Sequence, residues 1–256
     1  RRLGGSAFAQ SLGKVGDDVP TVKNPEYFAD AFNAVQEMIS RRWIYCGHDI
    51  SAGGLITTLL EMTFANIEGG MHIDLSEICK GDIVKTLFAE NPGIVVEVSA
   101  EHDEEFRNYL DEQGVAFAKI GYPTPHKRTV KVVAGDWSHD FDIEALRDTW
   151  YSTSYKLDQQ QSMNGMAKKR FTNYKKQPVE MIMRSDFDGS FAQLGITPNR
   201  EGMSGIRAAI IREKGTNGDR EMAYALYLAG FDVKDVMMTD LISGRETLED
   251  INMIVF

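Results

Sequence analysis

Residues 47–55, GHDISAGGL, concentrate most of the reactive groups in the chain. Gly53 and Gly54 lack a Cβ, so backbone there can approach a ligand closely, and amides that open a following helix favour an anion. Asp49 and Ser51 add oxygens beside that spot. A carboxylate such as Asp49 is a hard ligand suited to Mg²⁺, which takes one or two carboxylates together with phosphate oxygens and water. A phosphate with a divalent cation would therefore satisfy all four residues. The alternative gives them structural work, with Ser51 and Asp49 as helix caps and the glycines as a turn. His48 is either a base or a structural histidine.

Two further segments are similar in kind. LGGSAFAQ at 3–10 places Gly4 and Gly5 before Ser6, and KGTNGDRE at 214–221 falls between a strand and a helix, where parallel α/β folds bind ligands. The second has neither the GxxxxGK of a P-loop nor the GxGxxG of a dinucleotide site. HExxH and GxSxG are lacking. Cys46 and Cys79 have no CxxC pattern and no neighbouring His, which fits reduced thiols in a cytoplasm. The cations Lys168, Lys169, Arg170, Lys175 and Lys176, with Phe171 and Tyr174 among them, read as a solvated face rather than a nucleic-acid grip.

The elements that must position these groups follow from pattern. Asn24 as N-cap and Pro25 at the first helical position start a helix running to about Arg42, with Phe28, Ala31, Phe32, Val35, Met38 and Ile39 on one face. Residues 43–46 read as a buried strand leading into the glycine turn, and 55–65 as the helix after it. Strands are expected at 94–98, 116–120 and 129–133, with a helix at 101–113 and a turn at 134–139 leading to 140–143. Residues 1–150 thus form an α/β or α+β domain. Residues 151–204, rich in Gln, Ser, Asn, Lys and Gly, read as a linker. From 206 the order is strand 206–211, loop, helix 219–229, strand 231–237 and a third strand at 251–256, the opening of a parallel doubly wound sheet.

Composition narrows the function classes. Lys plus Arg number 28 against 38 Asp plus Glu, a net charge of −10, which disfavours general binding of nucleic acid. The apolar fraction of 43% supports a packed core, and no apolar run approaches the roughly 18 residues of a membrane span. Small molecules, metal ions and proteins are the expected partners. The lack of an initial Met and the apolar ending INMIVF are expected of a piece of a longer protein.

Taken together, LGGSAFAQ, GHDISAGGLITTLLEMTFAN, GIVVEV and RAAIIREKGTNGDREMAYALYLAGFDVKDVMMTDLISG resemble formylglycinamide ribonucleotide amidotransferase, or phosphoribosylformylglycinamidine synthase, in its large single-chain form. The resemblance implies a parent ligase of de novo purine biosynthesis that uses ATP, Mg²⁺ and ammonia from glutamine. It implies that residues 1–150 are a C-terminal-type lobe akin to that of aminoimidazole ribonucleotide synthetase, and that residues 205–256 begin a class I glutamine amidotransferase sheet. It carries a metal role to Asp49 and nucleotide binding (ATP or ADP) to Ser51, Gly53 and Gly54. Ala52 stands where the family often has Asp, which removes one carboxylate from the turn. GHDIS and AENPGIV differ from the family's substrate-processing half, so the lobe resembles the partner half, and no catalytic residue is expected within it. Cys46 and Cys79 lie in the wrong domain to be the glutaminase nucleophile, and the chain alone is expected to be inactive. The alternative reading is a non-catalytic nucleotide-binding module of a multi-domain complex. Nucleotide and the remaining domains of the same polypeptide are the expected partners, with neither nucleic acid nor membrane.

Overall fold

Local signals set the first elements. Ser6 Oγ accepts the Ala9 amide proton to cap α1 (Ala7–Ser11), and Asn24 caps α2 (Pro25–Ser40) through the Tyr27 amide at 3.0 Å. In this computed structural model residues 1–176, 182 and 184–256 are described, and the chain divides into two compact units, 1–178 and 179–256. The first unit continues with β1 (Ile44–Asp49), α3 (Gly54–Phe64), β2 (Gly70–Asp74), α4 (Ile83–Phe88), β3 (Ile94–Val98) and α5 (Asp103–Glu112). It ends with β4 (Gly121–Thr124), β5 (Thr129–Ala134), β6 (Trp137–Asp142), α6 (Ile143–Gln161) and α7 (Met166–Asn173).

β1 and β3 form an antiparallel pair, with Asp49 opposite Ile94. β4-β2-β5-β6 form a mixed sheet in which β2 and β5 run parallel. α3 is apolar on most of its faces, as a helix inside a core must be. Its Leu55, Ile56, Leu59 and Leu60 pack with Ile73, Leu75, Leu87, Val130, Val132 and Ile143. A second cluster of Ala34, Met38, Phe106, Leu110 and Val115 joins α2 to α5.

Four expectations change in this unit, the first being the turn at 134–139, which shrinks to residues 135–136 because β6 pairs with β5 from Trp137 onward. The strand at 43–46 starts one residue later and is not buried: Tyr45 is 70% exposed, because only the Trp43 and Ile44 side packs on the second cluster. The strand expected at 116–120 forms instead at Gly121–Thr124, where Gly121 passes so close to β2 that a Cβ would lie 2.0 Å from the His72 carbonyl oxygen. The boundary expected at residue 150 falls inside α6. Part of the expected linker, residues 177–181 and 183, lies outside the described residues. Its start, however, is helical and firmly attached.

That attachment is electrostatic and aromatic. Arg147, 6% exposed, lays its guanidinium 3.6 Å from the Tyr174 ring centroid, and its Nη1 donates to the Phe171 carbonyl at 2.8 Å. Glu144 accepts from Arg128 Nε at 2.8 Å and also from the Tyr174 hydroxyl and the Lys175 ammonium. Burial would push the Glu144 carboxyl up, but these three donors outweigh it and hold its pKa at about 2. Arg170 pairs with Asp158. Two cations of the basic run, Arg170 and Lys175, are thus committed to internal pairs.

The second unit is a three-stranded parallel sheet in the order β8-β7-β9, from β7 (Arg207–Arg212), β8 (Asp232–Met237) and β9 (Met253–Val255). Between them lie α8 (Asp219–Leu228) and α9 (Met238–Ser243). Successive β7 residues serve opposite faces: Ala208 and Ile210 pack with Leu226, Ala209 and Ile211 with Val236. Asp232 accepts the Ser204 and Gly205 amide protons and pairs with Arg200 at 3.0 Å. The whole is α/β (α+β) in class. Among the described residues no helix is long and apolar enough to cross a membrane.

Because the folded Glu144 carboxyl titrates below its ordinary 4.5, its contribution to stability is complete above that pH and is lost as pH falls towards about 2. Glu144→Gln should cost about 2 kcal/mol at pH 7. In denaturant melts the gap from wild type should narrow between pH 4.5 and 2. Equal stability at pH 7 would contradict the assignment.

Candidate functional site

The site starts at the end of β1. Thr58 Oγ1 donates to the Asp49 carbonyl at 2.9 Å and the Ile50 amide to the Gly93 carbonyl at 2.8 Å, which fixes the backbone while the Asp49 carboxylate stays 74% exposed. Gly53 and Gly54 then turn the chain with φ of +88° and +72°, conformations that disfavour any side chain. A Cβ on Gly54 would lie 2.7 Å from the Leu87 carbonyl oxygen, so the turn is pressed against the end of α4. Ser51 is exposed. Its carbonyl accepts the Gly54 amide proton at 3.0 Å, and α3 has no side-chain cap. The capping alternative for Ser51 therefore does not hold.

The amides expected to favour an anion meet one that belongs to the protein. Glu90 Oε1 accepts the Gly53 N–H at 2.8 Å and the Ala7 N–H at 2.8 Å. Glu90 follows α4 and joins the two glycine-rich segments, which sequence pattern left separate. Around this joint Phe8 stacks on Phe88 with centroids 4.6 Å apart, and the Arg2 amide donates to Asn91 Oδ1 at 3.3 Å. Gly4 lets the chain pass Asp18, whose backbone a Cβ would approach to 2.7 Å.

His48 lies beside the turn, its Nδ1 3.4 Å from an Asp49 carboxylate oxygen. Its Nδ1 lies 2.8 Å from the Asp49 carbonyl oxygen and its Nε2 3.2 Å from Glu61 Oε2, while Glu61 Oε1 accepts the Trp150 indole N–H at 2.6 Å. Glu61, Glu90 and Trp150 were not legible as site residues, because each acts through a partner at least 37 positions away. Burial, and next the hydrogen bond to Glu97, push the Cys46 thiol up, which disfavours its thiolate. The 214–221 loop lies after β7 in the second unit, with Gly218 at φ +83° before α8. Among the described residues no group of three or more His, Cys, Asp or Glu converges to hold a metal. The Asp49–Ser51 oxygens fit only a cation that takes most of its ligands from phosphate and water.

A lobe with a mixed sheet and a glycine turn, followed by a parallel sheet, defines a two-part α/β chain. Residues 1–133 match the AIR synthase related protein, C-terminal domain, and the chain belongs to that family. Residues 205–256 match the CobB/CobQ-like glutamine amidotransferase domain. These matches bear out the expected fold class. The chain is 34% identical over 261 residues to the probable phosphoribosylformylglycinamidine synthase, chloroplastic/mitochondrial, of Arabidopsis thaliana, covering 100% of this chain and 18% of that protein. It is 34% identical over 260 residues to phosphoribosylformylglycinamidine synthase of Homo sapiens, covering 100% of this chain and 19% of that one. The chain thus spans about a fifth of the length of these relatives. Among solved structures, T. maritima PurL complexed with ATP aligns with TM-score 0.44 and 14% identity, covering 57% of this chain and 24% of that chain.

The turn's shape rests on Gly54. Gly54→Ala should destabilise the chain by at least about 2 kcal/mol, since the strained φ and the collision with α4 backbone add. A thermal melt superimposable on wild type would contradict this packing.

Proposed function

We propose that this chain is part of the ATP-dependent ligase that converts formylglycinamide ribonucleotide and glutamine to formylglycinamidine ribonucleotide in de novo purine biosynthesis. The observation that carries the reading is the identity of 34% along the whole chain with the plant and human proteins, in the order of synthetase-type lobe followed by amidotransferase start. We assign residues 1–150 to the lobe, with the start of the expected connection 151–204 folded onto it as the rest of α6 and α7, and 205–256 to the first part of the amidotransferase domain. The remaining domains of a longer polypeptide are its partners, and its place is the cytoplasm, in keeping with the free thiols Cys46 and Cys79.

Within that reading the lobe binds ATP or ADP with Mg²⁺. Asp49 offers an exposed carboxylate to the metal and Ser51 a hydroxyl to the nucleotide. Mg²⁺ would neutralise phosphate charge there. Gly53 and Gly54 act by shaping the turn, because the Gly53 amide already serves Glu90. We place no nucleophile or general base among the described residues, and the chain by itself is expected to be inactive.

One observation favours the second reading, a non-catalytic nucleotide-binding module: a single carboxylate on the turn and an amide closed by Glu90 suit retention of a nucleotide better than its turnover. Both readings require Asp49. Titrating Mg·ATP and Mg·ADP into the chain by calorimetry should show Asp49→Ala weakening binding by about tenfold or more. Unchanged affinity in that variant would overturn the nucleotide assignment.

A further inference from the structure

A cavity of about 450 Å³ opens beside α3 and α6, and none of the residues assigned to the nucleotide lines it. Its volume is in the range of small-molecule sites, roughly 300–1,000 Å³. His48, Glu61, Phe64, Trp150, Tyr151 and Tyr174 line it. Four of these six are aromatic rings. Trp150 is 51% exposed although its ring centroid lies 5.2 Å from that of Phe64 and 6.1 Å from that of Tyr151, so part of the indole surface stays open to a ligand.

The polar groups decide what fits. Glu61 is held from two sides, by the Trp150 indole N–H at 2.6 Å and by His48 Nε2 at 3.2 Å. A carboxylate has about four lone-pair positions, so acceptor capacity is left for a ligand N–H. An anionic ligand meets Glu61 as a like charge. Arg147, which also lines the cavity, is committed to Asp148 Oδ1 at 3.0 Å, to the Phe171 carbonyl and to the Tyr174 ring, so it is not a free phosphate anchor. Flat aromatic walls with a pre-positioned acceptor select a flat, uncharged ring that donates hydrogen bonds.

We infer that this cavity binds a neutral planar heterocycle bearing an exocyclic amino group, of the aminopurine class, stacked on Trp150 and donating to Glu61. The site needs no metal; it adjoins the Asp49 turn through His48, whose Nδ1 lies 2.8 Å from the Asp49 carbonyl oxygen, but uses none of the Asp49, Ser51, Gly53 or Gly54 groups.

Adenine and adenosine, titrated into the 256-residue chain with EDTA present, test it by tryptophan fluorescence and saturation-transfer NMR. The expected result is saturable binding with EDTA present, weakened about tenfold when hypoxanthine replaces adenine and about tenfold in Glu61→Gln. Trp150→Phe, which keeps a stacking ring, should retain affinity within about threefold, whereas Trp150→Ala should lose about tenfold or more. Circular-dichroism melts identify variants that still fold, and Trp150→Phe covers the case in which Trp150→Ala does not. Absence of saturable binding, equal affinity for hypoxanthine, no effect of Glu61→Gln, or preference for tetramethylammonium over adenine would each overturn the proposal. Because EDTA removes Mg²⁺, a negative result here leaves the Asp49 reading standing, and failure of that reading leaves this one standing.

Discussion

Two backbone amides that open separate structures, Ala7 at the start of α1 and Gly53 at the turn before α3, share one carboxylate oxygen of Glu90, each at 2.8 Å. Helix starts leave N–H groups without intrahelical partners, and a charged acceptor is the strongest way a side chain can satisfy them. The arrangement has a cost in design freedom. With the Gly53 amide held by Glu90 and the Gly54 amide by the Ser51 carbonyl, the glycine turn offers its side chains rather than these two amides to its surroundings. Asp49 and Ser51 then become the groups through which the turn can meet a ligand, while Gly53 and Gly54 give it shape.

The rest of the first unit keeps that joint in place. Gly54 presses on α4, whose end delivers Glu90, and the stack of Phe8 on Phe88 covers the same junction. α3 runs from the turn through the larger core, so the site is anchored in the most buried helix of the lobe. Farther along, Arg147 among its aromatic rings and Glu144 among its three donors fasten α6 and the segment after α7 to this body. Many charged groups in an acidic chain are therefore spent on one another.

Much of this was legible locally. Asn24 and Pro25 fixed the start of α2, residues 94–98 were read as β3 with the bounds found, and the strand–helix–strand order after 206 was read correctly because buried parallel strands are continuous apolar runs. What escaped depends on distant partners. β4 is displaced to Gly121 because pairing with β2 begins where no side chain blocks the approach, a fact that belongs to His72 as much as to residue 121. Residues 151–176 looked like a linker because Gln, Ser and Lys hide the aromatic contacts that hold them. Glu90 had no signal at all: in AENPG it looks like an ordinary loop acid, and its role exists only because the chain returns Ala7 and Gly53 to it.

The joint is open to direct measurement. Amide hydrogen exchange followed by NMR at Ala7 and Gly53, in wild type and in Glu90→Ala, reports on both halves at once. If one carboxylate secures both segments, the two amides should exchange about ten to a hundred times faster in the variant, and together, while amides beside Met38 and Leu110 in the second cluster keep their rates. Acceleration at only one of the two amides, or at neither, would contradict it.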